Sequence, residues 1–156
     1  MYEGLGSYGT GGLRSDVRIS VDAYSSDEEY QQLVGILKSD GYRAFLKQLK
    51  TIKTKGRASV SNGQSGIVRV VHKREMPGGK QHIVMFSDQL ITCISGWGVP
   101  LRGEDPVSLI VLDLEPNGEG AGVIHSATEI KVGNNGQLQI ERYAARPCTF
   151  SSIRKR

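Results

Sequence analysis

The side chains with the most chemical potential sit close together. Residues 72–75 read His-Lys-Arg-Glu, and His82 follows across a Pro-Gly-Gly turn. A histidine near a carboxylate is the minimum for general acid–base work, so His72 with Glu75 makes a hydrolase-like site the enzymatic reading. The commoner meaning of such a run is an exposed, charged hairpin. His72, Arg74 and His82 share one sheet face if the two arms pair as strands, but two imidazoles without a third ligand do not define a metal site. His125 lies in a glycine-rich strand and reads as structural. Asp88, Asp105 and Asp113 close strands or loops and are candidate cation ligands, but they lack EF-hand spacing, and aspartate at strand ends ordinarily serves turns. The run at 118–122, Gly-Glu-Gly-Ala-Gly, lacks the Lys-Ser/Thr and the following helix of a phosphate loop. Nucleophile elbow, HExxH, CxxC and dinucleotide fingerprints are missing from the sequence, so no cofactor is implied and the reading leans away from an enzyme.

Non-catalytic contact is the other chemistry on offer. Trp97 stands between two glycines, placed either to stack on a ligand or partner or to cover the mouth of a barrel. Arg43, Lys47, Lys50, Lys53, Lys55 and Arg57 form a basic run with no acid among residues 43–57. Such a run meets an anionic surface or is simply a solvated helix face. A net charge of +4 is mild, and single-strand nucleic-acid binding would want aromatics interleaved with the bases; nucleic acid is not an expected partner. Cys93 and Cys148 allow one disulfide, with two unpaired thiols as the alternative, and spacing alone does not decide between them.

These residues need elements to hold them. Residues 26–52 carry the helical period: Tyr30, Leu33, Val34 and Leu37, then Tyr42, Phe45, Leu46, Leu49 and Ile52. Ser26 and Glu29 fit a capping box, and Asp27, Glu28 and Glu29 suit the positive end of a helix dipole. Gly41 is a natural left-handed terminator, so the spacing predicts two short helices or one bent helix. An apolar helical face needs a sheet to cover it. Residues 17–24 alternate as a half-wet strand. Residues 67–75 and 82–87 flank Pro-Gly-Gly as a hairpin, and residues 89–93 continue the second arm. Residues 107–114 are apolar on both faces, which suits a strand covered on each side. Residues 121–125 and 129–132, 138–143, and 149–154 complete the strands, with Asn135-Gly136 a hairpin signal.

The expected fold is α+β: an antiparallel meander of about seven strands, a curled sheet or barrel, packed with one helical hairpin inserted after the first strand. Residues 1–16, with five glycines, read as a flexible arm, and residues 17–156 as one domain. No apolar run approaches the roughly 18 residues of a spanning helix, and residues 1–16 lack the apolar centre of a signal peptide.

Several segments together resemble a family of small, uncharacterised, secreted bacterial proteins. The matching stretches are Tyr24-Ser25-Ser26-Asp27-Glu28-Glu29; Arg74-Glu75-Met76-Pro77-Gly78-Gly79 with Ile83-Val84 and Ser87-Asp88; and Pro106-Val107-Ser108-Leu109-Ile110. Asn117-Gly118-Glu119-Gly120, Ala127-Thr128-Glu129-Ile130, Ile140-Glu141-Arg142-Tyr143, Pro147 and Ile153-Arg154 continue it. The resemblance covers about residues 15–155. It implies secretion or a periplasmic location after removal of a leader, and it implies no activity, ligand or cofactor.

Three functions follow in order. The first is an exported, non-catalytic module for protein binding, self-association or assembly, with peripheral contact to anionic surfaces as a variant. The second is a carrier with an apolar cavity inside the barrel, as sheets of about eight strands can hold one small molecule. The third is an enzyme using His72 and Glu75. The contact residues expected are Trp97, Arg43, Lys47, Lys50, His72 and His82.

Overall fold

The structure, a computed structural model, describes residues 1–8, 13–93, 105–144 and 146–155. Its ten strands are β1 (Tyr2–Tyr8), β2 (Leu13–Val21), β3 (Gly56–Val60), β4 (Gly66–Val68), β5 (Val70–Glu75), β6 (Gln81–Ser87), β7 (Val107–Leu114), β8 (Glu119–Val132), β9 (Leu138–Tyr143) and β10 (Cys148–Lys155). Two helices, α1 (Asp27–Asp40) and α2 (Tyr42–Leu49), lie between β2 and β3. The strand order is β4-β3-β2-β1-β10-β8-β7-β6-β5, every pairing is antiparallel, and β9 pairs with β8 off this path. β4 and β5 are halves of one bent strand joined at Arg69. β4 pairs with β3 and β5 with β6, so this strand nearly closes the sheet into a barrel. The Arg69 amide donates to Phe86 O at 2.9 Å. Its side chain donates from Nε to Asp88 and from Nη1 to Ile52 O, both salt bridge and hydrogen bond fixing the corner.

The expected class, α+β with an antiparallel meander and a helical hairpin, is the one observed. Residues 1–8 and 13–16 differ from the expectation. Where a flexible arm was expected, β1 pairs with β2 on one edge and β10 on the other, and β2 begins at Leu13. Glycine-rich sequence forms strand here because Phe150 of β10 fills the space that side chains would take. Phe150 stands opposite Gly6 of β1 and Gly122 of β8. A Cβ on Gly4 would come 3.1 Å from the Phe150 ring, and one on Gly122 only 2.9 Å. An aromatic ring laid over glycines is a recognised way to pin strand register. Tyr2 contributes a buried ring to the interior, and its hydroxyl lies 2.9 Å from that of Tyr24.

The barrel interior is filled by alternate residues of these strands. Val71, Ile83, Met85, Ile110, Leu112, Ile124 and Phe150 are among them, together with the Cys93–Cys148 pair. The two cysteines are disulfide-bonded, with Cα atoms 5.9 Å apart. The bridge ties residue 93 to the start of β10. Residues 89–93 do not extend β6 as expected; β6 ends at Ser87, and Thr92 forms an isolated bridge with Gln64. Ser108 and Ser126 hold this segment from β7 and β8. Ser108 Oγ accepts from the Ile91 amide and donates to Gln89 O, and Ser126 Oγ donates to Ile91 O at 2.7 Å.

The opposite face of β5–β8 is apolar as well, and the helical hairpin covers it from outside. Leu33, Leu37, Phe45, Leu46 and Leu49 pack against Val70, Val84, Phe86, Val107, Leu109, Ala127 and Ile130. This two-sided burial is what the apolar run 107–114 implies. Ser26 caps α1, accepting from the Glu29 amide at 3.1 Å. Glu29 pairs with Lys55 at 2.8 Å. Gly41, at φ 93°, separates the two helices, a backbone angle that glycine adopts without a Cβ penalty. No described helix is long and apolar enough to cross a membrane.

Candidate functional site: a basic groove beside the second helix

β8 is long and bends. Its first part pairs with β7 and β10, and its end pairs with β9. The register slips between Ala127 and Glu129 and again before Ile130. A bulge of this kind breaks the alternation and re-aims side chains. Opposite the bulge lies α2, whose apolar positions face the sheet. Arg43, Lys47 and Lys50, spaced by four and three residues, stand in a row beside them. Between helix and bulge is an open groove of about 860 Å³, lined by Asp40, Tyr42, Arg43, Leu46, Lys47, Lys50, Asp105, Thr128, Glu129 and Arg142.

Part of the charge in the groove is matched. Lys50 Nζ is 3.0 Å from Asp105 Oδ2, and the Tyr42 hydroxyl donates to Asp105 O at 2.8 Å. Arg142 Nη2 is 3.5 Å from Glu129 Oε2. Arg43 and Lys47 have no ion-pair partner among the described residues. Thr128 adds an unusual feature. It is only 8% exposed, and its hydroxyl makes no hydrogen bond among the described residues. Buried polar groups are nearly always paired, so a lone one calls for a reason.

The structure therefore brings Arg43, Lys47 and Lys50 together and joins them to Thr128, Glu129 and Arg142, which the sequence reading missed. The only signal for Thr128 was the interruption of strand alternation at residues 126–128. Nothing in the sequence pointed to Arg142. Lys55 belongs elsewhere, half-buried between Glu29 and the Arg69 carbonyl.

His72 and His82 lie away from the groove. Their strands pair with Arg74 opposite His82 and His72 opposite Val84, so His72, Arg74 and His82 do share the outer sheet face. His72 is buried under the start of α1, its ring stacked on Tyr30 at 4.0 Å with Nε2 2.8 Å from Asp27 Oδ1. His82 Nδ1 is 2.7 Å from Asp113 Oδ1. Glu75 does not join His72. Residues three apart on a strand project from opposite faces, and Glu75 instead accepts from the Gln81 side-chain amide. Each of the three aspartates considered for a cation faces a basic side chain: Asp88 with Arg69, Asp105 with Lys50, Asp113 with His82. Among the described residues no three His, Cys, Asp or Glu side chains converge in a way that would hold a metal.

Burial shifts three titrations. The Tyr2 hydroxyl is pushed well above the usual tyrosine range by burial, reinforced by the Tyr24 hydroxyl. Burial also raises Tyr30, with the Arg74 charge acting the other way. His125 is lowered by burial, its Nδ1 lacks a partner among the described residues, and its ring lies 6.0 Å from that of Tyr143. Trp97 lies outside the described residues. No protein-family model, no curated protein and no solved structure matches this chain.

Proposed function

We propose that this chain is an exported, non-catalytic interaction module that engages a partner protein through the groove between α2 and the bent end of β8 and β9. The observation that carries the reading is the row Arg43–Lys47, two cations without an ion-pair partner among the described residues, facing a bulge that holds an unpartnered buried hydroxyl. Arg43 and Lys47 are exposed and open to an incoming charge, whereas a buried hydroxyl left unmatched, as at Thr128, costs stability. Such a group persists where a second molecule completes it. Export is supported by the Cys93–Cys148 bridge, a bond favoured in oxidising compartments, and by the resemblance to secreted bacterial proteins. The histidines support an architectural role. His72 is stacked on Tyr30 and paired with Asp27 of α1, His82 is paired with Asp113 of β7, and His125 is half-buried in β8. The carrier reading draws no support from the interior, which side chains and the disulfide occupy.

The test is size exclusion with light scattering of the full chain, alone and mixed with envelope or secreted extract from the cells that make it. A higher-mass species is expected with the natural chain and its loss with Arg43→Glu/Lys47→Glu at an unchanged circular dichroism spectrum. A monomer under both conditions contradicts the proposal. A complex that survives the double substitution removes this groove as its contact face.

A further inference from the structure

We infer that the groove is a carboxylate-binding site, and that its occupant is an acidic segment of a partner protein. This rests on the reading of the chain as an interaction module and specifies the chemistry of the contact.

Four cations and three carboxylates line the groove. Two of the carboxylates, Asp105 and Glu129, are held by Lys50 and Arg142. A densely charged polyanion laid along this surface would meet Asp40, Asp105 and Glu129 and be repelled. A chain with spaced carboxylates on a neutral backbone would not. Its acidic groups can reach Arg43 and Lys47 while Asp105 and Glu129 keep their own partners. Guanidinium favours a planar carboxylate, to which it can donate two parallel hydrogen bonds. Leu46 and Tyr42 supply an apolar wall for the aliphatic stem of a glutamate.

Thr128 provides the second, independent observation. Its hydroxyl is buried at the groove without a partner, in a bulge that breaks the β8–β9 ladder. A hydroxyl both donates and accepts, so it can donate to an incoming carboxylate or accept from a main-chain amide. Its oxygen is closed to solvent, so an occupant reaches it as the bulge opens, and the bond made there offsets one now unmade. β9 continues the surface. It pairs only with β8 among the described strands, so its other edge offers main-chain groups to an extended segment.

The experiment is an amide NMR titration of the full chain with four probes: blocked tetraglutamate, tetraglutamine, tetralysine and inorganic phosphate. Tetraglutamate is expected to shift amides of residues 42–50, 127–130 and 139–143. Arg43→Glu/Lys47→Glu should weaken it at least tenfold. Thr128→Val, which keeps the shape and removes the hydroxyl, should weaken it severalfold with the rest of the spectrum unchanged. Thr128→Ser should restore most of the binding. Tetraglutamine shifting the same amides as strongly overturns the carboxylate assignment. Phosphate doing so overturns it in favour of a general anion patch. No response to tetraglutamate also overturns it. If the higher-mass species seen with extract still depends on Arg43 and Lys47 in that case, the interaction module stands and only the ligand chemistry is wrong.

Discussion

The two faces of β5–β8 are both buried, yet they are finished differently. The inner face closes on itself. Its side chains come from every strand on the barrel path, a disulfide crosses it, and Ser15, Ser108 and Ser126 are hydrogen-bonded to backbone carbonyls. The outer face is covered by a separate layer, the helical hairpin, and the cover ends beside the β8 bulge. There the matching stops: two lysine or arginine charges and one buried hydroxyl have no partner among the described residues. The comparison separates the face whose polar groups are matched within the chain from the edge where they are not. Closure secures the barrel, and the seam of the outer layer stays available.

The contrast can be broken most severely at the barrel wall. Deleting residues 1–8 removes β1, which joins β2 to β10, and leaves two unpaired strand edges. Loss of the cooperative thermal transition is expected, with aggregation. Retention of a sharp transition would return these residues to the status of a tail.

Cutting the inner crosslink should cost less. Cys93→Ser/Cys148→Ser releases a loop whose ends are 55 residues apart, worth about 4 kcal/mol on loop-entropy grounds. Urea unfolding should show a lowered midpoint that reduction of the natural chain reproduces. A change of a few tenths of a kcal/mol would mean that packing alone holds residue 93.

A matched pair of truncations sharpens the comparison. Ile110 is fully buried inside, whereas Leu46 is on the sheet-facing side of α2 at the edge of the groove. Ile110→Ala should cost about 4 kcal/mol and Leu46→Ala about 2 kcal/mol, because the open seam relaxes around a smaller side chain. Equal costs by chemical denaturation would remove the distinction between the layers.

Titration separates the faces more gently. Tyr2 is inside and Tyr30 outside, and both are raised above the usual tyrosine value. The folded state therefore holds these protons when the unfolded chain has begun to lose them, and stability falls as pH rises through about 10. Tyr2→Phe should flatten the alkaline loss more than Tyr30→Phe, since Tyr24 reinforces the effect at Tyr2 and Arg74 opposes it at Tyr30. His125 acts at the other end. Its lowered value makes the unfolded chain the better proton acceptor, so stability declines as pH falls below about 6.5. His125→Gln should remove that small slope in thermal midpoints taken between pH 7 and pH 5.

Much of this architecture was legible because it is written in local signals. The period of residues 26–52, the Ser26 cap, Gly41, the Pro-Gly-Gly turn and the doubly apolar run 107–114 each act within a few residues. β1 was not legible, because its glycines make sense only against Phe150, nearly 150 positions away in the chain. The groove was half legible. Arg43, Lys47 and Lys50 announce themselves by helical spacing. Thr128 and Arg142 reach the same place through a bulge and a hairpin register, which composition does not encode. His72 and Glu75 looked like neighbours in sequence, and the pleat of β5 set them on opposite faces.

The most direct measurement is site-specific photo-crosslinking in cells that make the protein, with a benzophenone residue at Lys47 in the groove or at Arg18 on the bare outer wall of β2. The account predicts a discrete covalent adduct from Lys47 and none from Arg18. Adducts from both positions alike, from Arg18 alone, or from neither would contradict it.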